Sequence, residues 1–205
     1  MNRRFRIVVV GGGITGLMAA TLLARGDHGD RLDIAVLDAA PRPLFSPDDD
    51  IALRVSAIST GSAALFDAVG AWRHVAETRA SAYEHMCVWD EDDAPDSAAA
   101  LRFDAAEFAV PQLGFIVENV LLQDALLREL GTMSVDLRFG TPLRALHRTA
   151  SQYQLALDSG DVLDADLVVG ADGARSFIRS AAGIEASELP YRQTAFVTHL
   201  EPVAE

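Results

Sequence analysis

Four glycines fall close together near the start of the chain, in the segment Gly11-Gly12-Gly13-Ile14-Thr15-Gly16. At this spacing Gly11 permits a tight turn, Gly13 lets the backbone approach a pyrophosphate, and Gly16 lets a helix pack closely on a strand. Glycine-rich turns are common, so the pattern becomes specific only between a buried strand and a helix. In that setting it predicts a dinucleotide site with Gly11, Gly13 and Gly16 at the pyrophosphate.

A single acidic residue, Asp38, follows the loop at the distance expected for a ribose contact. It lies 38 − 16 = 22 residues after Gly16, close to the spacing of about 20 residues typical of such sites. A carboxylate there accepts hydrogen bonds from ribose hydroxyls and disfavours a 2′-phosphate. The spacing favours FAD or NAD over NADP, and the alternative is a solvated aspartate at the end of a strand.

A second glycine turn, Gly170-Ala171-Asp172-Gly173, follows an apolar run later in the chain. Ligands of α/β sheets bind at the carboxyl ends of strands. Asp172 taken alone could be only a turn residue. Together with the first loop, it favours a second loop beside the same cofactor.

The elements that must position these residues are read from hydrophobic patterning. Phe5–Val10 is an apolar run typical of a strand buried on both faces, and Leu17–Ala24 has helical spacing before Gly26. Leu32–Leu37 is a second such run. The segment therefore predicts strand, glycine turn, helix and strand, which form a βαβ unit.

The uncharged stretch Ile7–Ala24, preceded by Arg3, Arg4 and Arg6, also has the outline of a signal peptide or membrane helix. Its glycines argue against this alternative, because each weakens a helix by roughly 1 kcal/mol relative to alanine.

Further along, Ser59 or Thr60 is expected to cap a helix running to Val69, and Asn119 to cap a helix Val120–Leu130. The remaining predicted strands are short, and those between Val135 and Val169 suggest a small β-meander leading into a buried strand. They are Tyr83–Trp89, Leu101–Phe103, Val135–Phe139, Leu143–Arg148, Tyr153–Leu157, Val162–Val169 and Thr194–Leu200.

The composition of the 205 residues is that of a folded protein, with 50% hydrophobic and 23% charged residues. The net charge of 17 − 30 = −13 argues against nucleic acid as a partner. Cys87, the one cysteine, cannot form an internal disulfide, and its surroundings predict a buried strand. The five histidines show no metal-ligand spacing, so we expect no metal site.

The order and type of these motifs resemble a known family. The chain is similar to the flavin-dependent aromatic hydroxylases of the para-hydroxybenzoate hydroxylase class, and most closely to the ubiquinone-biosynthesis hydroxylases. The segments that carry this resemblance are the glycine loop, Arg54-Val55-Ser56-Ala57-Ile58-Ser59, Gly114-Phe115-Ile116-Val117-Glu118-Asn119, and Gly170-Ala171-Asp172-Gly173-Ala174-Arg175-Ser176.

The resemblance implies an α/β fold: a Rossmann-like FAD-binding βαβ domain with a parallel sheet, a small β-meander and part of an inserted β substrate domain. It assigns 1–80 and 118–185 to FAD binding. It assigns 81–117 to a β excursion that belongs to the substrate domain, and 186–205 to the start of a truncated part of that domain.

The activity implied is that of a monooxygenase in which NAD(P)H acts as a transient reductant of FAD, and O₂ then hydroxylates an aromatic ring. The implied substrate is a prenylated phenol or quinol of ubiquinone biosynthesis. Because the cofactor supplies the reactive chemistry, no catalytic side chain and no metal are expected. We expect a cytoplasmic protein, with peripheral membrane or multi-enzyme association of the full-length protein left open.

Site residues are carried over from the family position by position. Arg54 would lie near the flavin, although it could instead be a surface residue paired with Asp48–Asp50. Gln123 would face the cofactor from its helix, although a plain exposed glutamine is an open alternative. The full expected set is Gly11, Gly13, Gly16, Asp38, Arg54, Gln123, Asp172 and Gly173.

The chain also departs from the family pattern. It is shorter than members of the class and lacks their later Gly-Asp motif, so we interpret it as an N-terminal half that is inactive alone and prone to self-association. Two other readings stay open at this point: an NAD-dependent Rossmann dehydrogenase, and a non-catalytic nucleotide-binding fragment.

Overall fold

The computed structural model describes residues 3–191 and 194–200. The strands are β1 Phe5–Val10, β2 Leu32–Leu37, β3 Val55–Ser59, β4 Ala80–Tyr83, β5 His85–Val88, β6 Leu101–Asp104, β7 Gly114–Glu118, β8 Val135–Arg138, β9 Leu143–Arg148, β10 Tyr153–Leu157, β11 Val162–Ala165 and β12 Leu167–Gly170. The helices are α1 Ile14–Arg25, α2 Thr60–Ala68, α3 Trp72–Arg79, α4 Asn119–Leu130 and α5 Phe177–Ala181.

The predicted βαβ unit is present as β1, α1 and β2, and β1 pairs with β2 in parallel. The uncharged stretch Ile7–Ala24 is therefore divided between a strand, a glycine turn and a helix. Across the described part of the chain, no helix is long and apolar enough to span a bilayer.

A parallel sheet with strand order β12-β1-β2-β8 forms the centre of the fold. Successive side chains of a strand point to opposite faces, so a strand covered on both sides is apolar throughout. In β1, Val9 packs into a core with α1 and α4, whereas Val8 packs into a second core with the β9-β10-β11 meander. The sheet thus lies between a helical layer and a small antiparallel layer, which confirms the predicted fold class.

The sequence placed two strands wrongly. Val135–Phe139 was expected in the meander, but β8 pairs with β2 in the parallel sheet. Val162–Val169 was expected to be a single strand, but it breaks at Asp166 into β11 and β12. At the break, the backbone N–H of Asp166 donates to the carbonyl of Arg6 at 2.8 Å, and the N–H of Arg6 donates to Oδ2 of Asp166 at 2.8 Å. These two bonds move the chain from the meander onto the edge of β1.

The helix starts follow the expected capping in one case and not in the other. Ser59 precedes α2, and its Oγ accepts the N–H of Ser62 at 3.2 Å, as predicted. Asn119 is not a cap but the first residue of α4, and Glu118 occupies the cap position. The Oδ1 of Asn119 instead accepts the hydroxyl of Ser56 at 2.6 Å.

A second, antiparallel sheet has the order β3-β7-β4 and packs on α2, α3 and α4. The chain between β4 and β7 adds a two-stranded ribbon, β5-β6. On this ribbon Met86 is opposite Phe103, and Val88 is opposite Leu101. All four side chains are exposed, so one face of the ribbon is apolar and open to water.

Two expectations for these outer segments are wrong. Cys87 lies in β5 as expected but is exposed, because no second layer covers the ribbon in the described residues. Residues 194–200 form no strand. Their backbone is not paired with any described strand, and a strand exists only where a neighbour satisfies its N–H and C=O groups.

The turn from β1 into α1 is closed by contacts between backbone atoms. Gly11 has φ +114°, and an added Cβ would lie 2.2 Å from the carbonyl oxygen of Ala171. A Cβ on Gly16 would lie 1.9 Å from the carbonyl oxygen of Gly11. Both positions need glycine for packing alone, with or without a ligand.

We therefore expect Gly16→Ala to lower the free energy of unfolding by about 1–3 kcal/mol, the usual cost of overpacking. The matched control is Gly61→Ala in the first turn of α2, where an added Cβ has no neighbour closer than 3.8 Å. That change is expected to stabilise the helix by up to about 1 kcal/mol. Urea unfolding of the cofactor-free protein compares the two, and equal effects would contradict the steric account.

Asp166 should give the fold an acid-dependent stability. The pKa of Asp166 is lowered first by the hydrogen bond from the N–H of Arg6 and further by Arg3, against an opposing effect of burial. A lowered folded-state pKa stabilises the fold above the unfolded value of about 4, and this contribution is lost as the pH falls through the folded-state pKa.

Asp166→Asn is therefore expected to lower the free energy of unfolding at pH 7. This gap between the two proteins should shrink below about pH 4. Urea unfolding across this pH range measures the gap. Asp30→Asn, at an exposed position, is the control. A gap that grows on acidification would contradict the assignment.

Candidate cofactor site

The four parallel strands end at one edge of the sheet, and the predicted motifs meet there. Chain order reverses between β1 and β12, since β2 and β8 lie on the other side of β1. Such a switch point leaves a crevice at the carboxyl ends of the strands. A cavity of about 410 Å³ occupies this place, lined by Val10, Gly11, Gly13, Leu37, Asp38, Ala39, Thr141, Pro142, Leu143, Ala171, Asp172, Gly173 and Phe177.

The amino terminus of α1 faces this cavity at Gly13. Gly13 is the N-cap residue, no side chain caps the helix, and the first turn contains no acidic residue. The first N–H groups of a helix lack partners within the helix and attract anions. An added Cβ on Gly13 would meet nothing within 4 Å. Unlike Gly11 and Gly16, Gly13 therefore has no steric reason within this chain to be glycine.

Asp38 is held against the glycine loop at the mouth of the cavity. Its Oδ2 accepts the N–H of Gly12 at 2.5 Å, and its Oδ1 accepts the N–H of Ala40 at 2.7 Å. A carboxylate has about four acceptor positions, so two remain for other donors. These two hydrogen bonds fix the direction of the carboxylate and leave acceptor positions open. The binding of ribose hydroxyls at these positions stays a prediction.

Asp172 organises the second loop. Its Oδ1 accepts the hydroxyl of Ser176 at 2.5 Å, and its Oδ2 accepts the N–H of Ile178 at 3.1 Å. Burial raises the pKa of Asp172, but these hydrogen bonds outweigh burial and leave the pKa below its ordinary value. Gly173 beside it has φ +83° and open space around its Cα. Asp172 thus shapes the loop, and Gly173 exposes backbone to the cavity.

Three predicted site residues lie outside the cavity lining: Gly16, which packs against Gly11 in the turn, Gln123 and Arg54. Gln123 on α4 donates from Nε2 to the carbonyl of Gly12 at 3.2 Å, so it supports the glycine loop from behind. Arg54 is exposed at the start of β3 and forms no ion pair with Asp48–Asp50. The surface-pair alternative for Arg54 is therefore not supported, and a role of Arg54 at the flavin stays a prediction.

The sequence missed one wall of the cavity. Thr141, Pro142 and Leu143 line it because β8 belongs to the parallel sheet, which brings the following turn to the edge where the other strands end. The N–H of Thr141 donates to the carbonyl of Asp38 at 2.8 Å and ties this turn to β2. Because the sequence places Val135–Phe139 in the meander, the turn that follows it, Gly140-Thr141-Pro142, is not expected at the cofactor site.

Comparison with known proteins agrees with this geometry. Residues 4–201 match the family described as FAD binding domain. Among curated relatives, the 3-demethoxyubiquinol 3-hydroxylase of Escherichia coli K12 is 36% identical over 201 residues, which cover 98% of this chain and 49% of that protein. The human mitochondrial ubiquinone biosynthesis monooxygenase COQ6 is 31% identical over 207 residues, which cover 96% and 43%. The chain spans about half the length of these relatives.

Solved structures show the same fold. A variant of PqsL from P. aeruginosa superposes with a TM-score of 0.71 at 23% identity, covering 92% of this chain and 48% of that one. The p-nitrophenol 4-monooxygenase PnpA of Pseudomonas putida gives a TM-score of 0.68 at 21% identity, covering 89% and 44%.

The match over nearly the whole chain confirms FAD as the expected cofactor. It argues against the alternative of an NAD-dependent dehydrogenase. A glycine loop at a helix terminus and a strand-end carboxylate around one crevice are features of a dinucleotide-binding fold, and the family match identifies the dinucleotide as FAD. The chain belongs to the FAD binding domain family.

Proposed function

We propose that the chain forms the FAD-binding part of a flavin-dependent monooxygenase that hydroxylates an aromatic ring. One observation carries the proposal. Gly13, Asp38 and Gly173 line a single cavity at the switch point of the sheet, and Gly13 leaves space there that no atom of the chain fills. The alternative of a non-catalytic nucleotide-binding fragment shares this cavity, and it is an outcome of the test below.

The residues of the cavity fit FAD by their chemistry. The free N–H groups at the start of α1 would bind the pyrophosphate, with Gly13 allowing close approach. Asp38 would accept the ribose hydroxyls, and the Gly173 backbone would lie along the cofactor. Gln123 would keep the glycine loop in place through Gly12. When bound, FAD supplies the redox chemistry, and the protein binds it, orients it and excludes water.

The substrate and reductant are proposed from the relatives. The Escherichia coli and human proteins are described as a hydroxylase of a ubiquinol precursor and a ubiquinone biosynthesis monooxygenase. We infer that this chain serves a hydroxylation of the same chemical class, on a phenol or quinol with a prenyl tail. NAD(P)H would be the electron donor.

The proposed division of the chain separates cofactor-binding segments from a substrate segment, and its boundaries cross the β3-β7-β4 sheet. Residues 1–80 and 118–185 would serve FAD binding. The excursion 81–117, which contains the apolar ribbon face, would belong with 186–205 to the substrate side. The exposed face of Met86, Val88, Leu101 and Phe103 supports this assignment, since an apolar surface of this kind marks a contact with another partner or ligand.

The proposal is tested first by flavin binding. The purified chain is expected to bind FAD. Bound flavin absorbs at about 450 nm, whereas NAD does not. Gly13→Ala should weaken FAD binding about tenfold or more, equivalent to about 1.4 kcal/mol, because the new Cβ would narrow the space beside the first N–H groups of α1, where the pyrophosphate is proposed to bind. Its unfolding free energy without FAD should change by no more than about 1 kcal/mol, because φ −74° suits any residue and the space is open, and only the poorer N-cap preference of alanine remains.

Isothermal titration with FAD and urea unfolding measure the two quantities. The control is Gly160→Ala, at a positive-φ turn of the meander where an added Cβ has open space and does not line the cavity. It should cost stability by about 1 kcal/mol and leave FAD affinity intact. FAD binding that Gly13→Ala leaves unchanged would contradict the assigned pyrophosphate site. Bound adenine nucleotide without flavin would favour the non-catalytic fragment.

The ribbon should make the 205-residue chain self-associate. Val88 and Leu101 are opposite each other, with exposed fractions of 50% and 61%. The double change Val88→Thr and Leu101→Thr keeps β-propensity and removes apolar surface, so the average mass in solution is expected to fall towards that of a monomer. Sedimentation velocity over a range of concentrations measures it.

The control for self-association is Val162→Thr, at an exposed position on the meander far from the ribbon in sequence. It should leave the concentration dependence of the mass unchanged. A chain that is monomeric at all concentrations before any substitution would refute the expectation.

A further inference from the structure

Glu118 is the one charged side chain that is fully buried in the described residues, with an exposed fraction of 3%. A carboxylate removed from water needs a charged or hydrogen-bonding partner, or it destabilises the fold strongly. The Oε2 of Glu118 lies 3.0 Å from Nε of Arg79, and its Oε1 accepts the N–H of Ala52 at 2.7 Å. One carboxylate oxygen therefore lies beside the guanidinium of Arg79, and the other holds the backbone at Ala52.

Arg79 uses the rest of its guanidinium on the loop that joins β2 to β3, residues 38–54. One terminal nitrogen donates to the carbonyl of Asp49 at 2.9 Å, and the other donates to that of Ser46 at 3.2 Å. The guanidinium also lies 5.3 Å from the ring centre of Phe45. The planar group of an arginine can make all these contacts at once, which a lysine could not do.

This loop has no regular structure of its own, so its shape depends on these contacts. Arg79 fixes it at Ser46 and Asp49, and Glu118 fixes it at Ala52. At the end of the loop, the carbonyl of Arg54 accepts the N–H of Asn119 at 3.0 Å. The loop is thus attached to the junction of β7 and α4 along its second half.

The start of the loop lies at the cofactor cavity, which Asp38 lines. Arg54 at the end of the loop lies outside the cavity lining and is the predicted flavin neighbour. The same β7–α4 junction leads into the helix whose Gln123 supports the glycine loop at Gly12. The buried pair therefore links the position of Arg54 to the position of the pyrophosphate loop.

We propose that Arg79 and Glu118 are positioning residues of the FAD site, which hold loop 38–54 so that Arg54 stays beside the flavin. The proposal rests on the proposed function and on the place beside bound FAD that the family resemblance implies for Arg54. Neither Arg79 nor Glu118 needs to touch the cofactor for this effect.

The test uses the double variant Arg79→Met and Glu118→Leu, which removes both charges together and leaves no unpaired buried charge. The matched control is Arg73→Met with Glu77→Leu, an exposed ion pair on the same helix. Hydrogen exchange of the cofactor-free protein is measured first. Peptides covering 44–54 are expected to exchange faster in the Arg79/Glu118 variant only, and peptides covering the acidic loop 90–97 should be unchanged in both.

FAD affinity is then measured in a double-mutant cycle with Arg54→Ala. If the pair acts through Arg54, its replacement should weaken FAD binding about tenfold in the unaltered chain and have little further effect beside Arg54→Ala. A role in general stability would instead lower affinity by the same factor in both backgrounds.

Each outcome decides a different claim. Unchanged exchange of 44–54 would overturn the attachment of the loop, and faster exchange with unchanged FAD affinity would overturn the positioning role while leaving the proposed function intact. Absence of FAD binding by the unaltered chain would overturn the proposed function and the positioning role with it.

Discussion

The fold depends on the close approach of two backbone turns, one after β1 and one after β12. Gly11 has no room for a side chain against the carbonyl of Ala171, and Gly16 has none against the carbonyl of Gly11. This contact places the start of α1 and the loop of Asp172 against one cavity. The neighbouring strands extend the same edge, because parallel strands place all their carboxyl ends together. A cavity at this edge follows from the packing of backbone rather than from any particular side chain.

The sequence predicts β1 and β2 of the central sheet well, because the signal is local and both faces of each strand contribute to it. β1 and β2 are apolar on both faces, since Val8 and Val9 pack into different cores, and only a covered parallel sheet imposes that pattern. Prediction was weaker where pairing is decided by distant partners. β8 is a short strand with an ordinary composition, so its placement beside β2 could not be read from residues 135–138. Its misplacement hid Thr141, Pro142 and Leu143 from the predicted site.

The site residues divide in the same way. Gly13 and Asp38 were predicted from spacing and Gly173 from the resemblance of its glycine turn, and all three line the cavity, since each belongs to a turn that follows a parallel strand. Arg79 and Glu118 carry no motif spacing that reveals their partnership, because their contacts join positions far apart in sequence. Glu118 did appear within a family-like segment, but nothing in a sequence distinguishes a buried carboxylate from a solvated one. The exposure of Cys87 was missed for a related reason, since alternation in β5 predicts a strand but not whether a layer covers it.

The negative net charge of the chain limits how the cavity can bind a dinucleotide. A protein with a net charge of −13 repels a dinucleotide as a whole. Salt reduces that repulsion beyond about 8 Å at physiological ionic strength, whereas contacts inside a cavity are screened much less. Binding must therefore come from short-range donors, and the uncapped start of α1 supplies them without an acidic residue in its first turn. Asp38 is an acidic residue at this cavity, but its carboxylate accepts the backbone N–H groups of Gly12 and Ala40. Its negative charge therefore stabilises the loop that would bind the phosphates.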